Sequence, residues 1–121
     1  MSGKVYVEKE LNSRLRMVNT SGAAVVAGEF VILGKISGVA LESIPAGGVG
    51  AFHVEEGLVL QVGQADFGTG ATFNTANADV FFGTTDKNFY NATGANRVLV
   101  GQVIEPTVSG VMRFAKNYNA T

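Results

Sequence analysis

The sequence predicts an all-β protein: a small Gly-rich β-barrel or sandwich of about eight short, mainly antiparallel strands with an extended N-terminal arm. Three observations carry this. The 121 residues include 16 glycines and 2 prolines, so turn-permissive positions punctuate the whole chain. The runs between them are short and rich in Val, Ile, Leu and Phe, as buried and half-buried strands are. No stretch holds a 3.6-residue apolar period for three turns, which argues against helical crossovers and a parallel α/β sheet.

The elements follow in order. Residues 1–12 read as an arm, with the β-formers Val5, Tyr6 and Val7 ahead of the charged Glu8-Lys9-Glu10. Residues 14–18 read as a strand with Leu15 and Met17 on one side and Arg14 and Arg16 on the other. Asn19-Thr20-Ser21-Gly22 is a turn signal. The run Gly28-Glu29-Phe30-Val31-Ile32-Leu33-Gly34, bounded by its glycines, reads as a buried strand. A second strand follows at Lys35-Ile36-Ser37-Gly38-Val39-Ala40-Leu41, and Gly34-Lys35 closes a tight hairpin in which glycine supplies a positive φ.

Pro45-Ala46-Gly47-Gly48 and Glu56-Gly57 are turns. They flank an alternating strand with Phe52 and Val54 facing in and His53 and Glu55 facing out. Residues 58–62 alternate again. Residues 63–78 form a long loop of polar and small residues, with one helical turn near residues 75–78. Short strands follow at 79–83 and 89–90, around an Asp86-Lys87-Asn88 turn. Residues 97–104 and 109–114 make a closing pair around Glu105-Pro106-Thr107. One β domain spans 13–116, and residues 117–121 form a frayed tail.

Composition narrows the function. The chain is 46% apolar and only 16% charged, with a formal net charge of −1. Globular domains carry about 25% charged residues, so this surface is short of solvating charge and suits coverage by a partner. Nine Lys and Arg residues are scattered without a run, which argues against a nucleic-acid groove. The absence of cysteine excludes disulfides, thiolate nucleophiles and Cys-based metal sites. No stretch reaches the ~18 apolar residues of a transmembrane helix, and the start lacks a signal-peptide core. No membrane partner is expected.

No catalytic signature emerges, and no cofactor or metal is expected. His53 is the only histidine and lies on the outward face of its strand. Glu55 and Glu56 are adjacent and cannot share a strand face. Asp66, Asp79 and Asp86 lack calcium-loop spacing. Gly63 and Gly68 have the spacing of a phosphate loop, but Thr69 stands where lysine is required. Phe67, Phe73, Phe81, Phe82, Phe89 and Tyr90 are concentrated in one region. They read as core plus interface, since a base-stacking sheet would also place Arg or Lys between them. Phe81 and Phe82 are adjacent, so one fills the core and the other meets a second layer, a loop or a partner.

Across residues 16–62 the order of turns resembles a family of small tailed-phage capsid cement, or decoration, proteins. The residues that carry it are Asn19-Thr20-Ser21-Gly22, Ala27-Gly28-Glu29-Phe30-Val31-Ile32-Leu33-Gly34, Gly38-Val39-Ala40, Pro45-Ala46-Gly47 and Gly50-Ala51-Phe52-His53-Val54. The later Val100-Gly101-Gln102-Val103-Ile104 is similar to a segment before the family's closing strand. Where the family often has Val-Tyr-Trp-Asp, this chain has Asp79-Val80-Phe81-Phe82-Gly83, without tryptophan. Members sometimes carry a recombinase label, which would demand an ATP-binding loop that this sequence lacks.

The resemblance implies a β-rich structural virion protein with no catalytic residues. It implies assembly as a homotrimer or homodimer and attachment to the major capsid protein on the outer face of an icosahedral shell, after synthesis in the host cytoplasm. The candidate capsid or subunit interface is Val5, Tyr6, Val7 and Leu11 of the arm with Phe67, Phe73, Phe82 and Tyr90. The leading alternative is a β-sandwich binding module for carbohydrate or host-surface adhesion, motivated by the 63–78 loop and its aromatics. A hydrolase site built across a subunit interface and a nucleic-acid partner are further alternatives.

Overall fold

Strands begin where a local device reverses the chain, and here one device recurs. The computed structural model describes residues 14–120, with side chains as far as Asn117. The arm expected over residues 1–12 lies outside the described residues. Nine strands are described: β1 (Arg14–Val18), β2 (Phe30–Leu33), β3 (Ile36–Ala40), β4 (Val49–His53), β5 (Val59–Gly63), β6 (Asp79–Gly83), β7 (Phe89–Tyr90), β8 (Arg97–Val108) and β9 (Val111–Ala120). The predicted class holds. Two antiparallel sheets, ordered β1-β4-β3-β2 and β5-β9-β8-β6-β7, pack in a sandwich-like way without closing into a barrel.

Strands β2, β4, β5 and β6 each start directly after a four-residue turn, at 26–29, 45–48, 55–58 and 75–78. In each turn the first carbonyl accepts the fourth N–H, at 3.1, 2.9, 3.2 and 3.4 Å. The third residue is Gly28, Gly47, Gly57 or Asn77, with φ of 92°, 76°, 89° and 68°. A positive φ at the third position alone defines a type II turn and selects glycine or asparagine there. The helical turn expected near residues 75–78 is therefore a β-turn, because Asn77 adopts the left-handed conformation. The one helical element described is a 3-10 turn at Gln64–Asp66.

The hairpins agree with the sequence once and differ once. Leu33 opposes Ile36 across Gly34-Lys35, and Gly34 supplies the positive φ of 68°, as predicted. The reversal expected at Glu105-Pro106-Thr107 lies instead at Ser109-Gly110, where both residues have positive φ, 54° and 79°, the type I′ pattern. Strand β8 runs through Pro106 because the ladder slips there: Glu105 opposes Arg113, but Val108 opposes Val111. The extra β8 residue in this bulge spares the ladder a missing N–H donor. Freed from the ladder, Thr107 donates its N–H (2.8 Å) to the Phe73 carbonyl. Its hydroxyl donates to the same oxygen at 3.1 Å. The bulge thus ties the 63–78 loop to β8. Strand β9 continues to Ala120, opposite Leu99, into the residues expected as a tail.

Two apolar clusters fill the interior. Val25, Val31, Leu33, Ala40, Ile44, Phe52 and Val54 form one within the small sheet. It is roofed by the bridge between Val25 and Ile44. The larger cluster lies on the five-stranded sheet and includes Phe73, Phe82, Phe89 and Phe114, with Phe30 and Ile32 of β2 packed against it. β2 therefore faces both cores: alternate residues Val31 and Leu33 fill one, and Phe30 and Ile32 reach the other. Phe52 and Val54 are buried while Glu55 is exposed, in the alternation the sequence predicts. The same alternation leaves His53 half-buried.

Candidate functional site

The aromatic candidates separate into core and corner. Phe73 is only 2% exposed and Phe82 only 4%. Both were expected at an interface and are instead core residues, covered by their own chain. Phe67 is half-buried and meets the Phe73 ring edge-on at 4.8 Å. The long loop folds inward because Gly68 donates its N–H to the Phe89 carbonyl at 2.7 Å and passes so close to the Tyr90 ring that a Cβ there would collide with it. Of the adjacent pair, Phe82 takes the core and Phe81 is half-buried on the opposite face. Val5, Tyr6, Val7 and Leu11 lie outside the described residues.

Tyr90 belongs to a polar corner. Its hydroxyl donates to the Asp86 carboxylate, which also accepts the Asn88 N–H at 3.1 Å. The Arg97 guanidinium lies 3.5 Å from the Tyr90 ring centroid. The Tyr90 hydroxyl and the Asn88 N–H hold the Asp86 carboxyl below its ordinary value. The same bond pushes the Tyr90 hydroxyl up. The corner fixes the β6–β7 turn. Its hydroxyl is already engaged by the chain's own carboxylate, so it is built as a clamp.

Titratable groups do not converge elsewhere. Among the described residues, no group of three His, Asp or Glu side chains is placed to hold a metal. His53 lies in one cross-strand row with Val39, Phe30 and Arg14. Lys116 on β9 is buried, and burial lowers its ammonium pKa, against an opposing pull from Glu56. No described helix is long and apolar enough to cross a membrane.

Exposed apolar side chains lie on both sheets. Leu15, Val18, Val26, Leu41 and Val49 belong to the small sheet and its loops, and Val59, Ile104 and Val108 to the large sheet. Val18 directly opposes Val49 across β1 and β4. On that face Arg16 opposes Ala51 and Arg14 opposes His53. The outer face of the large sheet carries polar rows beside the exposed Val59. Arg113 pairs with Glu105 and donates to Gln61 at 3.0 Å. Asn117 donates to Gln102, which donates to Asp79 at 3.3 Å. Sequence reasoning missed Val18 and Val49 because only the β1–β4 register brings them side by side.

These features define a small all-β protein of two antiparallel sheets. A family model described as phage cement protein matches residues 10–115. The chain belongs to that family of phage cement proteins, as its turn motifs suggested. None of the curated proteins and none of the solved structures matches the chain.

Proposed function

We propose that this protein binds the outer surface of a phage capsid through the major capsid protein, stabilises the expanded head, and carries out no catalysis. The observation that carries the proposal is membership of the cement family over residues 10–115. The surface supports it. A cement protein holds several subunits through many weak contacts at once, which add up through multivalency. Apolar side chains that are solvent-facing in the free chain suit that role. The contact is assigned to the small-sheet end, centred on Val18 and Val49. Arm residues Val5, Tyr6, Val7 and Leu11 are assigned to a capsid or subunit contact.

The carbohydrate-binding alternative was motivated by aromatics in the 63–78 loop. Phe73 is buried and Phe67 packs against it, so that loop offers no open stacking platform among the described residues.

Co-sedimentation with undecorated, expanded heads tests the proposal. Saturable binding at a fixed ratio to the major capsid protein is the expected result. Heads that are correctly expanded and take up no protein would overturn it.

A further inference from the structure

Strand β2 is a sheet edge with unused backbone groups. Among the described residues its one strand partner is β3. A two-residue turn makes the flanking Leu33 and Ile36 a hydrogen-bonded pair, and such pairs alternate along an antiparallel ladder. Val31 therefore bonds towards β3, while Phe30 and Ile32 turn their N–H and C=O groups outward. Among the described residues, neither outward set meets a backbone partner.

A groove runs along this edge. A cleft of ≈ 220 Å³ is lined by Ala23, Val25, Phe30, Ile32, Phe82 and Lys87 among others. A second cleft of ≈ 410 Å³ continues past Glu29, Phe30 and Lys87 to Leu60, Val62 and Asp66. The Glu29–Lys87 ion pair crosses between them at 3.8 Å, with both side chains partly exposed. Exposed pairs contribute little net stability, so this one opens at little cost. An unpaired edge beside an apolar groove is the geometry that accepts an added strand.

We propose that the occupant is the N-terminal segment around Val5-Tyr6-Val7 of a second copy, paired as an extra strand on β2. The segment is strand-forming in composition, with Val5 and Val7 on one side and Tyr6 on the other. It precedes β1, which lies at the opposite edge of the same sheet from β2. Its own β2 therefore lies a full sheet width away from β1. One face of that sheet is roofed by Val25 and Ile44, and a Cβ on Gly50 of β4 would collide with Ile44. The other face packs Phe30 and Ile32 into the large-sheet core. A segment from a second copy enters from outside without spanning that width. Each copy then donates one strand and receives one, which links copies into a closed assembly. The proposal concerns the free protein and does not depend on shell binding.

The test combines sedimentation velocity with amide hydrogen exchange of the full chain. The expected result is a concentration-dependent oligomer in which the Phe30 and Ile32 amides are protected, with protection lost on dilution to monomer. Two proline variants remove segment N–H groups without touching the β domain: Val5→Pro with Val7→Pro, and Tyr6→Pro. One of these two sets faces β2 in either register. At least one should yield a folded monomer whose two amides exchange at least tenfold faster. Three results would overturn the proposal: protection of these amides in a monomer, a monomer at every concentration, or an oligomer unchanged by both variants.

Discussion

Phe30 of β2 meets Phe82 of β6 edge to face, with ring centroids 4.9 Å apart. Phe30 also lies 5.5 Å from Phe89 and 6.2 Å from Phe114. One side chain from the small sheet thus inserts among three rings of the large sheet and joins the two cores. Such aromatic pairs add about 0.5–1.5 kcal/mol beyond their burial. Truncating a fully buried Phe costs about 3–5 kcal/mol, and Phe30 is half-buried. Phe30→Ala is expected to cost about 2–3 kcal/mol in denaturant unfolding. A loss below about 1 kcal/mol would show that the sheets are held together elsewhere.

Asn19 and Ser37 are both buried polar residues with opposite expected behaviour. The Asn19 amide donates to the Ala23 carbonyl at 2.8 Å, to Ile44 at 3.2 Å and to Pro45 at 3.3 Å. Its side-chain oxygen accepts the Ser21 N–H at 3.2 Å and the Ser21 hydroxyl at 2.6 Å. It joins the 19–23 turn to the 44–48 turn. Asn19→Ala leaves several buried groups unpaired and is expected to cost about 3 kcal/mol. The Ser37 hydroxyl has no hydrogen-bond partner among the described residues. Ser37→Ala is expected to hold or raise Tm, since it removes an unsatisfied buried group. Thermal unfolding of both variants checks the pair, and a destabilised Ser37→Ala would reveal a partner for the hydroxyl.

Much of the fold was legible because its turns are encoded locally. Gly28, Gly47 and Gly57 mark type II turns, and Gly34 marks a hairpin, in each case because the backbone there needs a positive φ. The closing hairpin was misread because Pro106 is a turn signal that a bulge overrides. That bulge depends on β9 and on the Phe73 carbonyl, which lies 34 residues from Thr107. Two aromatic candidates, Phe73 and Phe82, lie in the core for a similar reason. Phe73 is buried by contacts remote in sequence, and no local pattern separates it from an exposed ring. The Val18–Val49 pair depends on a strand register that a short alternating segment does not fix.

The Asp86 corner predicts a specific acid response. The folded-state pKa of Asp86 is lowered by the Tyr90 hydroxyl and the Asn88 N–H. A depressed carboxyl contributes stability that is fully present above its unfolded value of about 3.9 and is lost as pH falls through the folded value. Asp86→Asn keeps an acceptor oxygen but does not titrate. The difference in Tm between wild type and Asp86→Asn is therefore expected to shrink as pH falls from about 5 to 2. Parallel curves over that range would show that the Asp86–Tyr90 bond does not contribute to acid stability.

The exposed valines test where the shell contact lies. Val18 is 48% exposed and Val49 is 54% exposed, and they sit opposite each other on β1 and β4. Surface substitutions away from core contacts usually change stability by no more than about 0.5 kcal/mol. In an assembled interface the same change buries a charge against apolar surface, at several times that cost. Val18→Asp with Val49→Asp is therefore expected to leave Tm of the free protein within a few degrees of wild type and to weaken head binding at least tenfold in co-sedimentation. A matched change on the polar outer face of the large sheet, Gln61→Asp, is expected to leave head binding within twofold. If the valine variant binds heads normally while Gln61→Asp does not, the contact belongs to the large sheet, and the assignment to the small-sheet end is wrong.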